Sequence, residues 1–266
     1  MITIKTPQEL NIMREGGWLL ARILQAVASE VKPGVTTNHL NKVALDLILV
    51  CGAKPAFLGY QGFPAALCVS INEEVVHGAP SERKLKQGDI IGLDLGIQYP
   101  VSGCSRCPMG ASCNPTNKSF FLDAAVTVPV GKISQEAANL LATAQRVLDI
   151  AIEKIKPNIH LGDVSSAIQK YVEDHGFSVV RALVGHGIGA KLHEEPEVPN
   201  FGKSGSGPVL KEGMTLAIEP MITAGDYRIK LSKDGFAFET IDKSLSAHFE
   251  HTVAVVKDGC EVLTKA

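Results

Sequence analysis

The chain has 266 residues, of which 45% are hydrophobic and 20% are charged, as expected for a folded protein that can bury a substantial core. It carries 26 lysine and arginine residues against 28 aspartate and glutamate residues, for a formal net charge of −2. This balance argues against a dedicated nucleic-acid-binding protein, which would carry a basic excess. No apolar run approaches the roughly 18 residues of a membrane span, and the N-terminus lacks a signal-peptide core. We therefore expect a cytoplasmic protein.

Two helices are predicted at the start of the chain. Residues 6–9, Thr-Pro-Gln-Glu, combine an N-cap, a proline at the first helical position and a capping-box glutamate. Thr37 or Asn38 can cap the second helix, and Gly52 marks its end. A second pair of helices is predicted further along the chain, over about 134–155 and 161–175.

Short β-strands are predicted after each helix pair, because these segments are rich in Val, Ile and Thr and are bounded by Gly, Pro and Asn. The predicted strands cover residues 66–71, 89–95, 124–130, 178–183, 214–220 and 248–256. Helices followed by strands, twice over, predict an α+β fold with a mostly antiparallel sheet.

The order of elements repeats because the sequence itself repeats. Val-Lys-Pro-Gly-Val at 31–35 recurs as Ile-Lys-Pro-Asn-Ile at 155–159, an offset of 124 residues. Leu-Lys-Gln-Gly at 85–88 recurs as Leu-Lys-Glu-Gly at 210–213, an offset of 125 residues. Two segments at nearly one offset predict two related halves, about 1–130 and 131–266, that share one core in a single domain over 1–266.

Four acidic residues lie within apolar, strand-like segments, two in each half: Asp94, Asp123, Glu219 and Glu250. Asp94 and Glu219 each follow the leucine of the second repeated segment by nine residues. An ionised carboxylate in an apolar strand costs free energy unless a cation meets it. A salt bridge or an edge position would explain one such acid, but four acids related by the repeat favour a shared cation.

Three histidines stand in settings that suit ligands. His186 has glycine on both sides, which leaves its ring unobstructed; His193 follows seven residues later, and His77 precedes Gly78. A single histidine usually packs in a core, but one near four buried acids is favoured as a ligand. Four carboxylates with imidazole suit two divalent transition metals about 3.5–4 Å apart, an arrangement found in hydrolases that include aminopeptidases.

At these residues the sequence resembles type I methionine aminopeptidase, of the pita-bread metallopeptidase family, over nearly the whole chain. The motifs are Gly-His-Gly-Ile-Gly-x-x-x-His-Glu-x-Pro at 185–196, Ile-Glu-Pro at 218–220, Ser-Ala-His-Phe-Glu-His-Thr at 246–252, Cys-Val-Ser-Ile-Asn-Glu at 68–73 with His-Gly at 77–78, and Gly-x-Asp at 92–94. The resemblance implies two halves related by pseudo-twofold symmetry, with helices flanking a central sheet. It also implies removal of the N-terminal methionine from nascent proteins, with a preference for a small second residue.

The resemblance implies a site for two divalent metal ions. Asp123 and Glu250 would bridge the ions, Asp94 would bind one of them, and His186 with Glu219 would bind the other. A bridging hydroxide would attack the carbonyl of the N-terminal methionine. Such a ligand set admits cobalt, manganese, iron or zinc.

The resemblance also implies how substrate is bound. His193 would polarise the scissile carbonyl, His77 would contact the peptide beside it, and Glu219 would shuttle the proton. The methionine pocket would be formed by Phe57, Tyr60, Phe63, Cys68, Leu192 and Phe236. The expected partners are the N-termini of nascent polypeptides, with docking on the ribosome left open, and the expected state is a monomer.

Two residues depart from the family pattern near the site. His248 replaces the usual glutamine. If strand side chains alternate, His248 shares the face of Glu250 and contacts a ligating carboxylate, a metal or the substrate. Phe57 replaces a small residue, commonly cysteine, and is expected to tighten the methionine pocket.

A third departure is the length of chain between Asp94 and Asp123, which exceeds the family's usual separation. The surplus predicts a loop over about 99–119 at the tip of the hairpin that carries both aspartates. The loop contains Cys104, Cys107 and Cys113. Their spacing allows a zinc site or a small disulfide, but the loop offers no fourth zinc ligand, so an exposed loop is favoured.

Two other kinds of pita-bread protein are alternatives to a methionine aminopeptidase. A prolidase or aminopeptidase P normally carries a large additional N-terminal domain, for which this chain has no room. A non-catalytic pita-bread binding protein would have lost metal ligands, whereas all five are present. With no Cys-rich N-terminal domain and no long insertion between His193 and Glu219, the sequence resembles the short bacterial or organellar form.

Overall fold

A computed structural model describes residues 2–101 and 118–266. Four α-helices occur in these ranges: α1 (Pro7–Ser29), α2 (Thr37–Val50), α3 (Gln135–Lys154) and α4 (Leu161–Asp174). Thr6 and Glu9 form the predicted capping box of α1. Helix α2 is capped by Thr36 and by neither of the two predicted residues. The Thr36 side chain accepts the amide of His39, whereas the Thr37 hydroxyl donates to the carbonyl of Ser81.

Fifteen strands occur in the same ranges. They are β1 (Lys54–Pro55), β2 (Leu67–Ile71), β3 (Glu74–Val76), β4 (Ile90–Tyr99), β5 (Phe120–Pro129), β6 (Ser178–Val179), β7 (Val184–Gly187), β8 (Glu194–Pro199), β9 (Thr215–Ile218), β10 (Met221–Thr223), β11 (Ile229–Leu231), β12 (Phe238–Thr240), β13 (Ser246–His248), β14 (Glu250–Val256) and β15 (Gly259–Val262).

The strands form one large sheet and two small ones. The nine-stranded sheet has the order β1-β4-β5-β14-β9-β7-β8, with β2 on β4 and β15 on β14, and the small sheets are β13-β10-β6 and β11-β12-β3. Every pairing between the described strands is antiparallel. The prediction of an α+β fold with a mostly antiparallel sheet is therefore confirmed.

Three predicted strands are shorter or divided. The segment 178–183 forms strand only over Ser178–Val179. The segment 214–220 ends as β9 at Ile218 and resumes as β10 in another sheet, because Pro220 has no amide hydrogen to continue a ladder. The segment 248–256 contributes β14 from Glu250 onward, and Phe249 separates it from β13. These breaks lie beside Glu219 and Glu250.

The sequence repeat is matched by backbone hydrogen bonds at the same offsets. The amide of Gly34 donates to Leu85 and that of Asn158 donates to Leu210. Three more amide-to-carbonyl bonds of the first half have a counterpart in the second half. Leu85 to Val35 matches Leu210 to Ile159, and Gly88 to Val130 matches Gly213 to Val255. Val130 to Asp89 matches Val255 to Met214. The loops that follow α1 and α3 are therefore anchored in the same way in both halves.

Each helix pair packs on strands of its own half. Leu20, Leu40 and Ile48 from α1 and α2 pack with the buried residues of β2, β4 and β5. Leu140, Val147 and Ile168 from α3 and α4 pack with those of β9, β10 and β14. Within residues 2–101 and 118–266, no helix combines the length and apolar character needed to cross a membrane.

The predicted insertion lies almost wholly outside the described residues. Cys104, Cys107 and Cys113 fall in the segment 102–117, so the loop over 99–119 and its zinc or disulfide alternatives stay predictions. Its boundary is corrected on one side, because Tyr99 is the last residue of β4 and pairs with Phe120 of β5. Strands β4 and β5 thus form the predicted hairpin.

Candidate metal centre

Strands β4 and β5 place the two aspartates of the first half beside each other. Asp94 lies opposite Ala125, and Asp123 lies opposite Gly96, so the two acids occupy diagonal positions on neighbouring strands. Both are buried, with 9% and 5% of their surfaces exposed. Oδ1 of each aspartate has no hydrogen-bond partner among residues 2–101 and 118–266. Buried carboxylate oxygens without partners are costly unless a cation satisfies them.

The two strand breaks of the second half bring its acids to the same place. Glu219 follows β9 and precedes Pro220. Glu250 opens β14 directly opposite Ala125, and only 2% of its surface is exposed. One ligand atom each from Asp123, His186 and Glu250 lie within 4.8 Å of one another. The structure therefore brings Asp123 and Glu250 together although they are more than 120 positions apart in the sequence.

His186 is oriented as a ligand. It lies in β7 opposite Ala217 of β9, and its Nδ1 donates to the carbonyl of Gly187 over 2.9 Å. Nε2 is thus left as the acceptor nitrogen, at 3.6 Å from Oε1 of Glu219. A backbone carbonyl that fixes one ring nitrogen while the other faces a metal is the usual arrangement of a histidine ligand.

The carboxylates destabilise one another's charges. Burial raises the pKa of Asp94 well above its usual value, and the charges of Asp123 and Glu219 add to that shift. Burial and the charge of Asp123 raise the pKa of Glu219 in the same direction, and burial with the three other acids does so for Glu250. Burial raises the pKa of Asp123 to about 7. Bound cations would remove this repulsion.

The imidazoles at the site are held neutral. Desolvation, with a contribution from His193, lowers the pKa of His186 to about 4 and that of His77 to about 4. Desolvation also lowers the pKa of His193. A neutral imidazole is the form that binds a metal or donates a single hydrogen bond.

A cavity of about 1020 Å³ opens over the acids. The residues predicted for metal, catalysis and substrate all lie on its wall: Asp94, Asp123, His186, Glu219, Glu250, His77, His193, Phe57, Tyr60, Phe63, Cys68, Leu192 and Phe236. The Tyr60 hydroxyl lies 2.8 Å from Nδ1 of His193. The ring centroids of His193 and His186 are 4.3 Å apart. The structure therefore brings the whole predicted set into one cavity.

Phe57 packs against β4 at Gly96. A Cβ atom at position 96 would lie 2.6 Å from Cε1 of Phe57, and 8% of the Phe57 surface is exposed. The large side chain at position 57 therefore depends on glycine at position 96, which lies opposite Asp123. This dependence was not visible from the sequence.

His248 also reaches the site. Its Nε2 lies 3.7 Å from Oε2 of Glu219, and 3% of the residue is exposed. Burial, with the neighbouring His77, lowers the pKa of His248 to about 3. His248 therefore lies beside Glu219, one of the predicted ligands, and Phe249 interrupts the strand between His248 and Glu250.

Sequence reasoning missed a buried ion pair behind His193. Nζ of Lys5 lies 2.6 Å from Oε2 of Glu194, with side chains only 2% and 6% exposed. The other carboxylate oxygen of Glu194 accepts the amide of Lys191 over 2.9 Å. The N-terminal segment therefore fixes the loop that carries His193. A lysine surrounded by isoleucine and threonine at 2–6 was the one local signal for this contact.

Comparison with known proteins agrees with this geometry. Residues 11–257 match metallopeptidase family M24, and the chain belongs to that family. It is 46% identical over 264 residues to a methionine aminopeptidase of Clostridium perfringens, covering 99% of both chains. The crystal structure of a methionine aminopeptidase from Thermotoga maritima superposes with a TM-score of 0.91 at 43% identity, covering 100% of both chains.

These relatives confirm the predicted pita-bread fold, the metallopeptidase class and the resemblance to methionine aminopeptidases. A prolidase from Pyrococcus horikoshii shares the fold at a TM-score of 0.73 and 22% identity, and the match covers 63% of that chain. The similarity to methionine aminopeptidases is thus closer in both sequence and extent.

Proposed function

We propose that the chain removes the N-terminal methionine from nascent proteins and uses two divalent metal ions to do so. The observation that carries this proposal is the convergence of Asp123, His186 and Glu250, whose ligand atoms lie within 4.8 Å of one another. Asp123 and Glu250 would contribute ligands to both ions, Asp94 would hold one, and His186 with Glu219 would hold the other.

The residues present fit such metal ions. Buried oxygens of Asp94 and Asp123 have no hydrogen-bond partner in the described ranges, and the neutral ring of His186 turns an acceptor nitrogen towards Glu219. Divalent ions held by these groups lower the pKa of water and polarise a carbonyl oxygen. Cobalt, manganese, iron and zinc all suit oxygen and nitrogen ligands of this kind.

His193 binds the scissile carbonyl in this proposal. When the Tyr60 hydroxyl donates to Nδ1 across 2.8 Å, the ring proton resides on Nε2. A neutral His193 then donates one hydrogen bond from Nε2 to a carbonyl oxygen, which gains negative charge as the peptide bond is attacked.

Two further residues complete the proposed reaction. His77 lies on the cavity wall with its ring 5.9 Å from that of Phe238, where it contacts the peptide beside the scissile bond. Glu219 lines the same cavity and carries the proton to the departing amine.

The apolar part of the cavity suits a methionine side chain. Phe57, Phe63, Cys68, Leu192 and Phe236 pack as one cluster beside the acids, and Tyr60 lies at its edge. An unbranched thioether fills such an irregular aromatic pocket well. The preference for a small second residue is proposed from the resemblance to methionine aminopeptidases.

Peptide hydrolysis tests the proposal. Met-Ala-Ser should lose its methionine, Met-Leu-Ser should be cleaved far more slowly, and a chelator should abolish both reactions until metal is restored. Equal cleavage of the two peptides would contradict the proposed specificity. Preferential cleavage of Xaa-Pro dipeptides would favour a prolidase-like enzyme instead.

The proposal includes a monomer that acts in the cytoplasm on emerging N-termini. A relative of nearly the same length is the methionine aminopeptidase of the bacterium Clostridium perfringens. Sedimentation of the purified chain tests the monomer, co-sedimentation with ribosomes tests docking, and metal analysis of protein purified without added metal identifies the ions.

A further inference from the structure

Strand β5 of the first half pairs with strand β14 of the second half. Glu250 lies directly opposite Ala125, and these two positions are 125 residues apart, the offset of the repeat. At the same offset, Asp123 corresponds to His248 and Thr127 corresponds to Thr252. The pseudo-twofold axis that relates the two halves therefore passes through the centre of this strand pair.

Two threonines hold equivalent positions across this strand pair. The Thr252 hydroxyl accepts the amide of Asp123 at 3.0 Å and donates to its carbonyl at 2.8 Å. The Thr127 hydroxyl accepts the amide of His248 at 2.9 Å and donates to its carbonyl at 2.7 Å. The same clamp thus fixes Asp123 in one half and His248 in the other.

The imidazole of His248 lies beside the carboxylate of Glu219. Within the described part of the chain its Nε2 has no hydrogen-bond partner, and the nearest charged atom given by the structure is Oε2 of Glu219, at 3.7 Å. Oε1 of the same carboxylate lies 3.6 Å from Nε2 of His186. The two oxygens of Glu219 therefore face two different imidazoles.

We propose that His248 is a positioning residue that holds Oε2 of Glu219, so that Oε1 faces the metal ion beside His186. The inference rests on the proposed two-metal function. Partners of ligating carboxylates orient the ligand and strengthen metal binding. A small rotation of either side chain closes the 3.7 Å separation to a hydrogen bond donated by Nε2.

Calorimetric titration of the metal-free protein with Mn²⁺ tests the proposal. In His248→Ala, one of the two dissociation constants should rise about 10–100-fold, while the other should change little. His248→Gln should restore binding, because its amide can donate to Glu219, whereas the shorter His248→Asn should not. His251→Ala is the matched control, since the His251 ring contacts Thr264, and its constants should equal those of the wild type.

Unchanged dissociation constants in His248→Ala and His248→Asn, with circular dichroism spectra of folded protein, would overturn the proposal. A second imidazole nitrogen coupled to bound Mn²⁺ in electron spin-echo spectra, and lost in His248→Gln, would also overturn it, because His248 would then be a ligand. Failure of the wild type to bind two ions would instead contradict the proposed function.

Discussion

The two halves of the molecule share a backbone framework but supply the site in different ways. The first half contributes Asp94 and Asp123 from a regular hairpin in which both strands run unbroken past the acids. The second half contributes Glu219 and Glu250 from the ends of interrupted strands, together with His186. Matched hydrogen bonds therefore preserve the frame, while the side chains placed on it differ.

This difference shows how a repeated fold produces an asymmetric centre. Asp94 and Glu219 occupy equivalent positions and are both acids, but Ala125 and Glu250 also occupy equivalent positions and only one is an acid. A methyl group opposite Glu250 leaves room for its carboxylate beside the diagonal pair of aspartates.

Removal of the proposed metal ligands of the second half should have the largest effect. His186→Ala and Glu250→Gln should each lower kcat/KM by more than about 100-fold, since changes to mere partners of metal ligands already cost about 10–100-fold. Peptide assays with metal present, beside circular dichroism, measure this. Glu212→Gln, at an exposed acid of the same half, should retain activity. Near-normal turnover in either ligand variant would refute the metal assignment.

The ion pair that ties the N-terminus to the second half should contribute strongly to stability. Lys5→Met leaves Glu194 without its cation, and breaking a buried pair costs about 3–5 kcal/mol. Urea unfolding should show this loss, and the double variant Lys5→Met with Glu194→Gln should recover much of it. Lys170→Met, which breaks an exposed pair with Asp174, should cost no more than about 0.5 kcal/mol. Equal losses would mean that burial of the pair is unimportant.

The two threonine clamps offer a direct comparison between the halves. Thr252→Val and Thr127→Val each leave a buried amide and carbonyl without their partner, which costs about 1–3 kcal/mol. Unfolding free energies should fall by similar amounts because the clamps are equivalent. Activity should fall further in Thr252→Val, which releases Asp123, a proposed metal ligand. A stability loss confined to one variant would contradict the equivalence of the clamps.

Metal-free protein should become less stable as the pH rises towards neutrality. Burial raises the pKa of Asp123 to about 7, above its value in the unfolded chain, so the folded state holds a proton that the unfolded state has lost. The unfolding free energy should therefore fall by roughly 1 kcal/mol between pH 6 and 7. Thermal melts of chelated and metal-loaded protein measure this. A flat profile without metal would show that Asp123 ionises normally.

Local patterns along the chain were sufficient to predict the helices and the acidic residues of the site. The capping box at Thr6 and the apolar stripes of α1 to α4 depend on neighbours three or four residues away, so they can be read without tertiary structure. Asp94 and Glu250 stood out because ionised groups are unfavourable in apolar strands. The offset of 124 or 125 residues likewise required nothing beyond the chain itself.

Contacts between distant segments determined the strand breaks, the threonine clamps and the first residue of helix α2. At Pro220 and at Phe249 the chain passes from one sheet to another, a passage that depends on the tertiary arrangement of the strands. The clamps of Thr127 and Thr252 join residues more than 120 positions apart. Helix α2 begins one residue early because Thr37 bonds to Ser81.

The sequence by itself determined the residue types of the metal centre, the repeat and the helical elements, because each depends on composition and short-range periodicity. Tertiary structure alone decided that Phe57 packs on Gly96, that Lys5 supports Glu194 and that Glu219 is the acid beside His248. These contacts depend on which side chains the folded sheet brings together, and no local pattern carries that information.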